Sequence, residues 1–167
     1  MLKATGDPVS RRAMLASKVE DMINTVVRQT AFCIFERDVH DARQESELTA
    51  EDIGEIWMKV QKESLGPVFR YHDDYRHYWA YIPHFIHSPF YVYAYAFGDC
   101  LVNALYSVYQ DAEAGFADKY LEMLRAGGTL RHKELLAPFG LDATDPAFWD
   151  KGLTVVEDLI DELETTM

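Results

Sequence analysis

The chain has 167 residues, 28 of them acidic and 16 basic, for a formal net charge of −12. That balance excludes nucleic acid, whose binding depends on Lys and Arg neutralising phosphates, and electrostatic docking on anionic membranes. With 49% hydrophobic and 26% charged residues, the composition is globular and the length suits one domain, residues 1–167, with its own core.

The start, Met1 to Pro8, has no apolar core of the kind a leader peptide needs. Asp7-Pro8 reads as an N-cap followed by proline at the first helical position, and the pattern predicts an unbroken helix to about Ala42. Leu15, Val19, Met22, Val26 and Cys33 form its apolar stripe, widened by Ile23, Val27 and Ile34. Thr49 to Asp52 opens a second helix with a capping-box variant. Ile53, Ile56, Trp57 and Val60 give that helix its apolar face, and Gly66-Pro67 ends it.

Residues 68 to 87 have no steady period. Ser88-Pro89 then repeats the cap-plus-proline signal. Tyr91 to Phe97 alternates large and small side chains as a strand would, but apolar character continues to Val108, so length predicts a helix from Phe90. Being apolar all round, it reads as buried. Its longest strictly apolar run, Phe90 to Phe97, is far too short to span a membrane. Short helices follow over Phe116 to Arg125, stopped by Gly127-Gly128, and over Arg131 to Leu136. Asp145-Pro146 caps a last helix with Trp149, Leu153, Val156, Ile160 and Leu163 as its stripe. The predicted fold is all-α, a multi-helix bundle.

Chemistry concentrates in one window. Between Tyr71 and Gln110 lie nine of the ten tyrosines and four of the six histidines, with Asp73, Asp74, Arg76 and Asp99 as the sole charges. Tyrosine hydroxyls and imidazoles grip carbonyl groups without adding fixed charge. The plainer reading makes these tyrosines core residues whose hydroxyls reach the surface. No histidine is followed by glutamate, so the helical zinc motif His-Glu-x-x-His is absent. A separate zinc site from His72, Asp74, His77 and His87 is loosely specified. Cys33 and Cys100 form no Cys-x-x-Cys pair, which fits a reduced, cytoplasmic protein, and Cys33 reads as a buried small residue.

The run Tyr81-Ile82-Pro83-His84-Phe85-Ile86-His87-Ser88-Pro89-Phe90-Tyr91-Val92-Tyr93-Ala94-Tyr95-Ala96 resembles the substrate-binding loop and following helix of the oligoendopeptidase F family, among the thimet-oligopeptidase-like zinc metallopeptidases. Lys18 to Gln29, Glu63 to Pro67 and Leu135 to Leu141 agree in the same order, so the resemblance covers essentially the whole chain. It implies the C-terminal part of a gluzincin-type helical peptidase domain, cleaving short peptides inside the cell. The family's zinc is held by the two histidines of His-Glu-x-x-His and a glutamate on the next helix. The resemblance puts the start of this sequence just after that motif, so no catalytic metal ligand is expected here and the chain alone should be inactive. It carries over His84, Tyr91 and Tyr95 as the group contacting the substrate carbonyl and the developing oxyanion, and His87 and Tyr93 as substrate-binding. Tyr91 and Tyr95, four apart, share one helical face, while Tyr93 points off it and on spacing reads as packing rather than contact. Short peptides are the expected partners. The alternative is a non-enzymatic helical interaction module that forms a homodimer through its cleft face.

Overall fold

A computed structural model describes residues 6–112 and 114–166. Among them every regular element is helical. The order is α1 (Pro8–Ile23), a π turn (Asn24–Arg28), α2 (Gln29–Glu45), α3 (Ala50–Leu65), a 3-10 turn (Gly66–Val68), a 3-10 helix (Asp73–Tyr81), α4 (His84–His87), α5 (Tyr93–Asp111), α6 (Phe116–Ala126), α7 (His132–Leu136), a 3-10 turn (Ala137–Phe139) and α8 (Pro146–Glu164). The chain forms two compact units, residues 21–97 and residues 1–20 with 98–167, divided within α1 and within α5. No helix among the described residues is long and apolar enough to cross a membrane.

Helix starts follow local chemistry. The Ser10 backbone N–H and hydroxyl both donate to Asp7 Oδ2, at 2.9 and 2.6 Å. At α3 the Asp52 N–H donates to Thr49 Oγ1 at 3.2 Å while the Thr49 N–H returns to Asp52 Oδ2 at 2.9 Å, a complete capping box. Asp145 accepts from the Ala147 N–H at 3.0 Å. The hydrogen bonds from Ser10 and from Thr49 hold the Asp7 and Asp52 carboxyls below the usual carboxylate range.

The first long helix is not the unbroken α-helix the sequence predicts. Its buried positions step Leu15, Val19, Met22, Val26 and then, five residues on, Ala31. The π turn inserts one extra residue there, and Thr25 bonds back to the Asp21 carbonyl at 2.8 Å within it. Downstream, the buried stripe becomes Ala31, Phe32, Phe35 and Glu36, and Cys33 is turned to partial exposure.

In unit 21–97, α2 and the 3-10 helix both pack on α3. Trp57, with 0% exposure, is surrounded by Phe32, Phe35, Tyr75 and Phe85 at ring-centroid distances of 5.6, 5.1, 5.8 and 6.5 Å. Gly54 makes the 3-10 helix's close approach workable: a Cβ there would sit 3.1 Å from the Arg76 carbonyl oxygen. The segment read as having no steady period thus contains a nine-residue 3-10 helix followed by α4. Its Tyr75, Tyr78 and Tyr81 recur every three residues, the repeat of a 3-10 helix, and their rings form a ladder at 5.1 and 6.1 Å.

In the other unit the core gathers Ala104, Leu105, Leu136, Phe139, Leu141 and Phe148. A Cβ on Gly152 would lie 2.7 Å from the Cys100 carbonyl oxygen, so glycine lets α8 touch the backbone of α5. That contact fixes which face of α8 turns inward: Phe148 and Gly152 are buried, while Leu153, predicted on the stripe, is 43% exposed. α5 is not buried all round either. Cys100, Asn103, Ala104 and Leu105 are buried, whereas Val102, Tyr106 and Tyr109 are exposed.

Candidate functional site

The predicted site residues lie where the 3-10 helix, α4 and the start of α5 follow one another, all within unit 21–97. Pro83 starts α4 as its N-cap, and Ser88 ends it. α5 begins at Tyr93 rather than Phe90, because Phe90 adopts φ 60°, in the left-handed region, which breaks the helix the cap-plus-proline signal predicts. For a non-glycine residue that conformation costs about 1–3 kcal/mol and persists where surroundings over-determine it. Here the Phe90 N–H donates to Glu36 Oε1 at 2.7 Å, from a glutamate only 3% exposed. Two residues later, Val92 is fully buried in the aromatic core.

Three of the five predicted residues come together. His84 Nε2 and the Tyr95 hydroxyl are 3.1 Å apart, a hydrogen bond whose direction follows the imidazole tautomer. The Tyr91 ring meets the Tyr95 ring edge-on at a centroid distance of 5.6 Å, and the His84 ring meets Tyr95 at 5.7 Å. Although Tyr91 precedes the helix, backbone bonds from Ala94 to Tyr91 and from Tyr95 to Val92 hold a tight turn there, and the i, i+4 neighbours still meet. Tyr91 is 52% exposed and Tyr95 38%, so both phenols are open to a ligand. His87, at the end of α4, and Tyr93, the first residue of α5, are exposed and make no hydrogen bond or ring contact with these three among the described residues. The result is one imidazole and two phenols on a stretch without fixed charge, able to donate to a carbonyl oxygen and to an oxyanion.

The window's other tyrosines do different work. The Tyr71 hydroxyl donates to the Gln61 carbonyl at 3.0 Å and the Tyr75 hydroxyl to Gln61 Oε1 at 3.3 Å, on the buried face of α3. Burial pushes both hydroxyls above the usual tyrosine range, with Arg28 opposing the effect at Tyr75. Tyr106 and Tyr109 belong to the other unit, where they line an apolar groove with Phe116 and Tyr120. Glu36 is the site's neighbour that sequence reasoning misses. Its signal is its position four after Phe32, on the stripe that the π turn moves inward.

Metal ligands are not gathered. Among the described residues no group of three or more His, Cys, Asp or Glu side chains could hold a metal ion, and His72, Asp74, His77 and His87 do not form one. The described residues therefore do not fit the zinc that the resemblance implies.

The sequence profile of peptidase family M3 matches residues 2–155. The chain belongs to that family. It is 29% identical over 98% of its length to oligoendopeptidase F, plasmid, of Lactococcus lactis subsp. cremoris, and 30% identical over the same share to oligopeptidase PepF of Bacillus subtilis. It covers 27% and 24% of those proteins, so it spans about a quarter of the relatives it matches. The fold superposes on the crystal structure of oligoendopeptidase-F from Enterococcus faecium with TM-score 0.88 and 27% identity, over 99% of this chain and 32% of that one. A putative peptidase from Chlamydophila abortus gives TM-score 0.89 at 28% identity, over 100% of this chain and 28% of that chain. Membership of family M3 agrees with the all-α architecture and makes the chain similar to part of a larger oligopeptidase.

Proposed function

We propose that this chain is the C-terminal segment of an oligoendopeptidase F-like zinc endopeptidase, supplying groups that bind the peptide and stabilise the oxyanion, and that it does not hydrolyse peptides alone. The observation that carries this reading is the convergence of His84, Tyr91 and Tyr95, joined by the 3.1 Å imidazole–phenol hydrogen bond. A substrate carbonyl oxygen takes a hydrogen bond from the exposed phenols. As charge develops on that oxygen the same donors strengthen, and the His84 ring holds the Tyr95 hydroxyl in line. His87 and Tyr93, both exposed, contact other parts of the peptide. One profile match runs through both compact units, which supports assigning them to a single domain of the larger enzyme. Two free cysteines support a reducing, cytoplasmic setting.

The test has two arms. The purified 167-residue chain should leave a quenched fluorescent oligopeptide intact; chelator-sensitive cleavage would contradict the reading. Grafted in place of the matched quarter of the Bacillus subtilis relative, the chain should support cleavage, and Tyr95→Phe in the graft should lower kcat by about 10²–10³, the loss of one oxyanion donor. An unaffected kcat would remove Tyr95 from the role.

The second reading is a helical interaction module that self-associates, and the exposed Val102, Tyr106 and Tyr109 on α5 favour it. Light scattering decides: a concentration-dependent dimer supports it, and a monodisperse monomer removes it.

A further inference from the structure

We infer that Glu36 is a positioning residue for the His84–Tyr91–Tyr95 group, acting through the backbone of Phe90. This rests on the reading of those three residues as the peptide-contacting group. Glu36 and Phe90 are 54 residues apart in sequence, yet the Phe90 N–H donates to Glu36 Oε1 at 2.7 Å, at the short end of the range for such bonds. One turn further along α2, the His40 ring packs on the Phe90 ring at 4.7 Å. α2 thus grips Phe90 twice, by its amide and by its side chain, at the left-handed residue that ends the Ser88-Pro89 turn. Without a fixed acceptor, Phe90 gains by relaxing out of its left-handed conformation, and the register of Tyr91 and Tyr95 against His84 changes with it.

A buried carboxylate is an expensive way to fill space, since buried polar groups require partners. Glu36 Oε1 has the Phe90 amide, while Oε2 is buried with no hydrogen-bond partner among the described residues. A residue kept merely for packing has no need of either oxygen. One kept as an acceptor needs a single oxygen at the position of Oε1, and glutamine supplies it.

The experiment follows the His84 imidazole ¹⁵N resonances of the full 167-residue chain by NMR, with Tyr95→Phe as the reference for a broken His84–Tyr95 bond. Glu36→Met, which keeps the volume and removes the acceptor, should move the His84 resonances toward the Tyr95→Phe positions. Glu36→Gln should keep them at wild-type values. Short-peptide affinity should follow the same order, falling about two- to tenfold for Glu36→Met, the equivalent of one net hydrogen bond. Wild-type His84 resonances in Glu36→Met would overturn the inference, as would Glu36→Gln shifting as far as Glu36→Met. If Glu36→Met does not fold, Glu36→Asp takes its place: it withdraws the carboxylate by one methylene and should shift the resonances, and unshifted resonances overturn the inference. The resonances report the geometry whether or not peptide binds. No peptide binding by the wild-type chain, with the resonance pattern as expected, would therefore sink the functional reading and leave the role of Glu36 standing.

Discussion

Two tyrosine pairs of the same i, i+4 spacing, Tyr71 with Tyr75 and Tyr91 with Tyr95, are put to opposite use. Tyr71 and Tyr75 pack against α3 with their hydroxyls donating to Gln61, and Tyr75 also packs against the fully buried Trp57. Tyr91 and Tyr95 stand open, and the one protein partner of the Tyr95 hydroxyl among the described residues is an imidazole at 3.1 Å. Both groups are neutral and both sit next to a proline- or glycine-marked joint, so composition cannot separate them. What separates them is where the hydroxyl goes. A phenol that completes a buried amide's hydrogen bonds serves stability, and a phenol left half in solvent beside histidine remains available to a ligand.

The contrast can be broken from the packed side first. Trp57→Ala removes the ring that Phe32, Phe35, Tyr75 and Phe85 surround, and should destabilise by about 3–5 kcal/mol, measured by urea unfolding. Tyr75→Phe should cost less, about 1–3 kcal/mol, because it leaves Gln61 Oε1 buried without its donor. Tyr95→Phe is the sharpest counterpart: the same deletion of one hydroxyl should change stability by less than about 0.5 kcal/mol. It should instead weaken short-peptide binding by about two- to tenfold, read by calorimetry. Equal stability costs for Tyr75→Phe and Tyr95→Phe would dissolve the distinction.

The smallest effect is one of pH. The hydrogen bonds from Thr49 lower the Asp52 pKa in the folded chain, so its contribution is present above the ordinary carboxylate range and is lost as pH falls through the lowered folded value. Asp52 caps the helix that carries Trp57 and Gln61, so acid should loosen the packed group. Asp52→Asn should flatten the acid limb of a stability–pH profile, and an unchanged limb would place the acid sensitivity elsewhere.

Much of this fold is legible in sequence because its punctuation is chemical. Asp7, Thr49 and Asp145 mark helix starts by side-chain oxygens that must accept backbone N–H groups, and they do so. Apolar periodicity is less reliable wherever the backbone departs from 3.6 residues per turn. The π turn at residues 24–28 displaces Cys33 from the stripe, and the close contact at Gly152 selects the face bearing Phe148 instead of Leu153. The 3-10 helix hides because its three-residue tyrosine repeat looks like no α-helical pattern. Within the candidate site, the spacing of Tyr91 and Tyr95 and their closeness to His84 can be read from the chain. The turn that holds them cannot, since Phe90 takes a left-handed conformation that sequence rules reserve for glycine and asparagine. Its support is a glutamate 54 positions away, brought in by tertiary packing that no local pattern encodes.

The central claim is that the neutral trio His84, Tyr91 and Tyr95 contacts peptide. The most direct measurement is an NMR titration of the full chain with a short, uncharged peptide, following the His84 imidazole and the Tyr91 and Tyr95 ring signals alongside those of Tyr71 and Tyr75. The account predicts saturable shifts at the first three, little change at the other two, and loss of the response in Tyr95→Phe. Shifts spread evenly over all five residues, or none at His84 and Tyr95 at saturating peptide, would contradict it.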